Sequence, residues 1–304
     1  NGKIYVFARQ GEDEVLLSLD AVTGKEVWRS SLPVAYEMHE AARGHGKGPK
    51  STPVIDGTRL FTFGISGVLT AWNTASGQML WQKDFQKDFP ATSPDFGVAM
   101  SPIVAGGSLI VHAGGPGNGA IFAIDPAKGG VRWTWKGDAP AYSSPVVADI
   151  GGTRQVITQS QSHLVGLGLA DGKLLWQIAF KTPYDQNIVT PVVSKDVVIY
   201  SGIGNPLAAV RVSQQAGKWT TEQVWQNPDL PMYMSSPVLH NGHLFGLAQK
   251  NRGQFFCADA ATGKTVWATK GREGENAAVI LAGDLLIATT TEGELIVAKA
   301  DTSG

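Results

Sequence analysis

The feature that most constrains this chain is a ten-residue stretch that keeps returning. It first reads Leu19-Asp20-Ala21-Val22-Thr23-Gly24-Lys25-Glu26-Val27-Trp28, and then Trp72-Asn73-Thr74-Ala75-Ser76-Gly77-Gln78-Met79-Leu80-Trp81. Further copies run from Ile124-Asp125 to Trp133, from Leu167-Gly168 to Trp176 and from Ala258-Asp259 to Trp267. In each, the tryptophan falls eight residues after the Asp, Asn or Gly. A stretched copy runs from Val212 through Gly217 to Trp225. Self-similarity at a period of roughly 40–50 residues marks a solenoid, a propeller or an array of like units.

Between the copies the pattern is that of short strands. Ser51-Thr52-Pro53-Val54-Ile55, Leu60-Phe61-Thr62-Phe63, Val68-Leu69-Thr70-Ala71-Trp72 and Met79-Leu80-Trp81-Gln82-Lys83 alternate in character and are bounded by Gly, Asp and Asn. Period-two alternation with such boundaries predicts strands joined by hairpins. Asp56-Gly57, Gly106-Gly107, Gly151-Gly152 and Asn241-Gly242 fall at the same place in successive units, and such pairs suit a strand's twist. A proline recurs as well, in Thr52-Pro53, Ser101-Pro102, Ser144-Pro145, Thr190-Pro191 and Ser236-Pro237. Proline cannot donate into a ladder, so it is expected at the first residue of an inner strand. No helical period is sustained anywhere.

Four-stranded units in series make a β-propeller, because each small sheet buries its faces only against its neighbours. The expectation is an all-β, single-domain chain over 1–304. Its units are read at about 1–32, 51–85, 101–137, 143–180, 189–227, 235–270 and 277–304. The first lacks an opening strand and the last a closing one, so the two ends do not complete one blade, and a parent ring of eight is expected. Asn1-Gly2-Lys3-Ile4-Tyr5-Val6 reads as a turn entering a strand, with no signal peptide in view, so a trimmed or processed start is expected. Trp28, Trp81, Trp133, Trp176, Trp225 and Trp267 are assigned a structural role, as large indoles wedged between adjacent sheets.

Composition narrows the function. The formal net charge is −1, which gives no basic excess to hold a phosphate backbone, so nucleic acid is excluded as the expected partner. Cys257 stands alone in an alternating strand and reads as a buried structural thiol. No apolar run reaches the length of a membrane helix.

The recurring Asp, Thr-Gly-Lys and Trp resemble the tryptophan-docking motif of the quinoprotein (PQQ-like) β-propellers, over the whole chain. The resemblance implies export to the periplasm or beyond, and it implies one of two trades. One branch holds PQQ with Ca²⁺ through Glu, Asn and Asp ligands, many members with a vicinal cysteine pair against the quinone, and oxidises alcohols or sugars. The other is non-enzymatic and BamB-like. A chain with only Cys257 cannot form the cysteine pair, and no position matches the family's Ca²⁺ ligands by motif. The reading is therefore a non-catalytic binding or scaffold protein, acting on a protein partner or small polar ligand. A PQQ-dependent dehydrogenase is the alternative, and a carbohydrate- or polymer-binding propeller the second.

Candidate ligand-binding residues follow from position, since the loops before the prolines share one face. They are His39, His45, Lys50, Asp95, Tyr142, Asp185, Asn187, Tyr233 and Asn276, with Met100 beside them. The longest loop, 36–50, concentrates histidines, cations and glycines, as functional loops do. Gly44 to Ser51 is no phosphate loop, because Pro49 intrudes and a strand follows instead of a helix. His240 and His243 flank one turn, but two ligands are too few for a structural metal. No catalytic residue and no metal ligand is assigned.

Overall fold

Alternating residues with a turn former every few positions have one way to bury their apolar half, as short strands laid side by side. The computed structural model describes residues 2–89 and 94–304; Asn1, the first residue of the opening turn, lies outside it. It contains 26 strands, and among the described residues the helices are short 3-10 turns. The contacts group into two compact units, Asn1–Pro145 with Leu169–Lys173, and Val146–Gly168 with Leu174–Gly304.

The first unit holds three antiparallel meanders. They are β1 (Lys3–Gln10), β2 (Asp13–Asp20) and β3 (Glu26–Pro33); then β4 (Val54–Asp56), β5 (Arg59–Phe63), β6 (Val68–Asn73) and β7 (Met79–Asp84); then β8 (Ile103–Ala105), β9 (Ser108–Gly115), β10 (Asn118–Ile124) and β11 (Val131–Trp135). The second holds four. They are β12 (Val146–Ile150), β13 (Thr153–Gln159), β14 (His163–Gly168) and β15 (Leu174–Ala179); β16 (Val192–Ser194), β17 (Val197–Gly202), β18 (Asn205–Gln215) and β19 (Lys218–Asn227); β20 (Val238–His240), β21 (His243–Ala248), β22 (Gln254–Asp259) and β23 (Thr265–Ala268); and β24 (Ala277–Ala282), β25 (Leu285–Thr290) and β26 (Leu295–Lys299). Every sheet runs in chain order, five of four strands and the first and last of three, as β-propeller blades do. The recurring proline stands just ahead of its strand, not at the first residue: β4, β8, β12, β16 and β20 each begin one residue later. The missing N–H is thereby kept out of the ladder altogether.

The tryptophans carry the sheet-to-sheet coupling. In the first unit Trp28 donates its indole N–H to the carbonyl of Thr74 at 3.1 Å, Trp81 to Pro126 at 3.1 Å and Trp133 to Leu169 at 2.9 Å. In the second, Trp225 donates to Ala260 at 3.2 Å and Trp267 to Asp301 at 3.1 Å. Each acceptor lies in the repeat turn of the following unit, so the motif is both plug and socket. Trp176 differs. Its N–H goes to Gln155 Oε1 of its own sheet at 2.7 Å, although its ring is buried in a cluster with Val198, Val210 and Val212 of the next. The next unit is the stretched copy, where β18 and β19 run on as a long hairpin and form no repeat turn to receive the indole.

Two local devices aim the indoles. A register shift skips the residue before each tryptophan, Val27, Leu80, Arg132, Leu175, Val224 and Val266 in turn. Such bulges re-aim a side chain. Directly across the ladder from each indole sits a small residue: Ser18, Ala71, Ala123, Gly166, Ala209 or Cys257. The lone cysteine is therefore the small-residue position opposite Trp267. Phenylalanines fill the space between sheets; in the first unit Phe61, Phe63, Phe85 and Phe122 share one cluster, with Phe85 and Phe122 ring centroids 4.9 Å apart. Nearer the prolines a second set of bonds joins neighbours. Thr52 N–H reaches Ser101 Oγ at 2.8 Å, Ser101 N–H reaches Ser144 Oγ at 2.9 Å, and Thr190 N–H reaches Ser236 Oγ at 3.0 Å.

Gly263 meets two demands at once. Its φ is +70°, and a Cβ there would lie 2.3 Å from the Trp225 ring. Gly24 has nearly the same φ, +69°, and a Cβ there would meet nothing within 4 Å. Both alanine variants should cost the roughly 1–2 kcal/mol of left-handed backbone. Gly263→Ala should cost clearly more, and equal losses by urea denaturation would show that the indole contact contributes nothing.

Candidate functional site

The loops that precede the prolines are tied together by their own side chains. In the first unit the hub is Phe96. Lys50 Nζ donates to its carbonyl at 2.6 Å, and its N–H donates to the Tyr142 hydroxyl at 3.3 Å. The His45 ring meets the Phe96 ring edge-on at 5.3 Å and 86°, and the Tyr142 ring meets it at 6.0 Å and 74°. Three predicted residues from two loops thus converge on a third loop. Burial holds the half-buried Lys50 ammonium below the usual lysine range. His39 caps the 3-10 turn Glu40–His45, its ring nitrogen accepting from Ala41 N–H at 3.3 Å. Asp95 is exposed beside the hub. Met100 is not a rim residue; it is 1% exposed and belongs to the phenylalanine core, because its side chain points between sheets.

The second unit repeats the arrangement with amides. Asn187 Nδ2 donates to the carbonyls of Ser160 at 2.7 Å and Phe180 at 3.0 Å, pinning its loop from within. Asp185 accepts from Gln161 Nε2 at 2.7 Å and faces Lys181 at 3.4 Å. The Tyr233 hydroxyl donates to Gln186 Oε1 at 2.8 Å, and burial together with the nearby Glu275 charge raises its pKa. Asn276 Oδ1 accepts from Met234 N–H at 3.2 Å. Tyr233 also lines a polar cleft of about 690 Å³ with Gln249, Arg252, Arg272, Glu275 and Glu292.

This chemistry is that of positioning. Among the described residues no group of three or more His, Cys, Asp or Glu side chains gathers to hold a metal ion. Burial pushes the Cys257 thiol up to about 11, away from a reactive thiolate. His240 and His243 do not face a common ion: His240 Nε2 lies 3.1 Å from Asp284, and His243 Nδ1 lies 3.1 Å from the Asn241 carbonyl. Sequence reasoning missed Phe96, Gln186, Arg252 and Arg272. Phe96, Gln186 and Arg272 stand in loops of the same class as the predicted residues, which is a usable signal. Arg252 stands between β21 and β22, outside that class.

Comparison with known proteins places the chain. The family model described as "Outer membrane protein assembly factor BamB" matches residues 12–269 and 233–303. The chain belongs to that family. The BamB of Yersinia pestis is 25% identical over 219 residues, 67% of this chain and 51% of that protein. The chain spans about half the length of the curated relatives it matches, 51% and 56% for two of them. The structure of BamB from Moraxella catarrhalis superposes with a TM-score of 0.70 at 17% identity, covering 96% of this chain and 83% of the other. A europium-containing methanol dehydrogenase superposes at 0.63 and 15% identity, covering 95% of this chain and 71% of the other. At such identities these two likenesses establish the fold alone, and it is shared by a BamB and a dehydrogenase.

His112 gives the first unit a pH dependence. It is buried in β9, and its Nε2 donates to the Asp138 carbonyl at 3.1 Å. Burial lowers its pKa from an ordinary 6.5 to about 4. A depressed folded value means that the unfolded chain takes up the proton first. The associated stability is fully present above pH 6.5 and lost progressively as the pH falls to about 4. The loss should be roughly 3 kcal/mol. His112→Gln keeps an N–H donor without a titrating ring, and its urea-denaturation midpoint should fall less over that interval than that of the parent protein.

Proposed function

We propose that this chain is a non-catalytic, exported binding protein of the periplasm, one propeller domain whose loop face docks a protein partner in the assembly of outer-membrane proteins. The observation that carries the reading is where the loop side chains direct their hydrogen bonds. Lys50, Tyr142, Asn187, Tyr233 and Asn276 bond to neighbouring backbone or to other loop residues. A face latched in this way is preorganised, which lowers the ordering cost of association. Membership of a family described by an assembly factor supports the same direction, as does a near-neutral charge.

Contact with the partner is assigned to the exposed parts of that face. In the first unit Glu12, Tyr36, Glu37, Met38, Arg43 and Lys47 line an open cleft of about 580 Å³. Its mixed charges and its methionine suit an adaptable protein surface. The competing reading, a dehydrogenase, draws on the fold shared with a methanol dehydrogenase and on no residue of this chain.

The test is complementation in a bacterium that lacks its own member of this family. Outer-membrane β-barrel protein levels should recover with the protein and fall again with the combined variant Glu37→Ala, Arg43→Ala and Lys47→Ala, whose side chains carry no core packing. Calorimetric titration with PQQ, with and without Ca²⁺, accompanies it. Full recovery with the triple variant would contradict contact through this cleft. Saturable quinone binding with turnover of an alcohol or an aldose would replace the scaffold by an enzyme.

A further inference from the structure

The polar cleft of the second unit is built more rigidly than a solvated surface requires. Two loops form its walls, one joining β21 to β22 and one joining β23 to β24. Their backbones are fastened to each other: Arg272 N–H donates to the Asn251 carbonyl at 3.0 Å, Glu273 N–H to Gly253 at 3.2 Å and Gly274 N–H to Arg252 at 3.3 Å. The fit admits no side chain at the contact, since a Cβ on Gly253 would lie 1.9 Å from the Gly274 carbonyl oxygen. A third loop joins them, with Gln249 N–H bonded to the Pro231 carbonyl at 2.7 Å and Tyr233 facing the cleft.

Two arginines stand on this frame. Arg252 and Arg272 are exposed, and both are held at left-handed backbone angles, φ +63° and +71°. Non-glycine residues in that region are uncommon outside tight hairpin turns, and neither arginine stands in one. Lys250, in the same turn as Arg252, is paired with Asp229. The two guanidinium groups have no ion-pair partner among the described residues, although two carboxylates share the cleft. One of these, Glu292, accepts from the Thr291 hydroxyl at 3.0 Å and packs on Gly274. The other, Glu275, lines the cleft together with Tyr233.

We propose that this cleft is a peptide-binding site, in which Arg252 and Arg272 receive the carboxylate of an Asp or Glu side chain from an extended acidic segment of a partner protein. Guanidinium groups pair with carboxylates through two parallel N–H···O bonds, which gives direction as well as strength. Glu275 and Glu292 decide against a phosphate, since a dianion would meet two like charges. They suit a peptide instead, whose backbone N–H groups are donors for both. A volume of about 690 Å³ lies within the range of sites that enclose a ligand of a few residues. The proposal rests on the loop-face reading above and names the chemistry that one part of that face would recognise.

The test uses the whole protein and a blocked four-residue peptide with one central acidic residue. Its amide-side-chain counterpart and inorganic phosphate are run beside it, all followed by amide chemical shifts. The acidic peptide should give saturable shifts at residues 251–253 and 271–275, with the amide peptide about tenfold weaker. Arg252→Asn and Arg272→Asn should each weaken the acidic peptide about tenfold, asparagine being chosen because it tolerates the left-handed backbone. Lys250→Ala, which removes a charge already paired outside the cleft, should leave the affinity within a factor of about two. Absence of saturable shifts, or equal binding by the arginine variants with native spectra, would overturn the proposal. Phosphate binding as tight as the peptide's, with the same arginine dependence, would make this a plain anion site and overturn it too. The broader reading is scored separately, by complementation with the Glu37, Arg43 and Lys47 variant, so either can fail alone.

Discussion

The structure depends on an indole N–H reaching a carbonyl in the next unit's turn. A four-stranded sheet with two apolar faces can bury both only against its neighbours. The repeat resolves this by placing donor and acceptor in one ten-residue motif. Asp or Asn at the head of the turn closes it, as Asp259 Oδ1 does by accepting from Ala261 and Thr262 N–H at 3.1 and 2.7 Å. Glycine then leaves room for the incoming ring, and the tryptophan that follows becomes the donor to the unit after. The exception obeys the same logic. Where β18 and β19 replace the turn with a long hairpin, Trp176 turns its N–H back onto Gln155.

Much of this was legible in the sequence, for a physical reason. A repeat writes the same constraint several times, so the period, the strands, the turns and the tryptophan's structural role all stand out against variable positions. The lone Cys257 also becomes intelligible, since its counterparts ten residues before the other indoles include Ser18, Ala71, Ala123 and Gly166. What was not legible was the second use of the glycine. Positive φ is readable from turn chemistry, but the approach of Trp225 to Gly263 depends on the packing of separate units. The bulge before each tryptophan escaped for a similar reason, because a skipped residue leaves the alternation almost unchanged.

The candidate site was legible in place and not in detail. Lys50, His45 and Tyr142, chosen for their position in the loops before the prolines, meet in the structure around Phe96, an apolar residue with no chemistry to announce itself. Tyr233 likewise finds Gln186, and Asn276 finds a backbone amide. Met100 shows the limit of reasoning from position alone, for one residue's shift along a strand entry turns a rim side chain into a core one. The arginines were passed over because charged loop residues are common. Only the fastened backbones and left-handed angles distinguish Arg252 and Arg272 from ordinary solvated charges. Function in this architecture comes from loops held by neighbours, which ties it back to the indole contacts beneath them.

The most direct measurement is therefore hydrogen exchange of the indole N–H protons, resolved one by one in the nuclear magnetic resonance spectrum. The indoles of Trp28, Trp81, Trp133 and Trp225 should exchange about as slowly as amides in the middle strands of their sheets, because opening them requires units to separate. Trp135, half-buried and outside this arrangement, provides the fast reference. If the four docked indoles exchange as freely as Trp135 while the strand amides stay protected, the sheets are held by apolar packing alone. The claim that indole docking organises the structure would then be wrong.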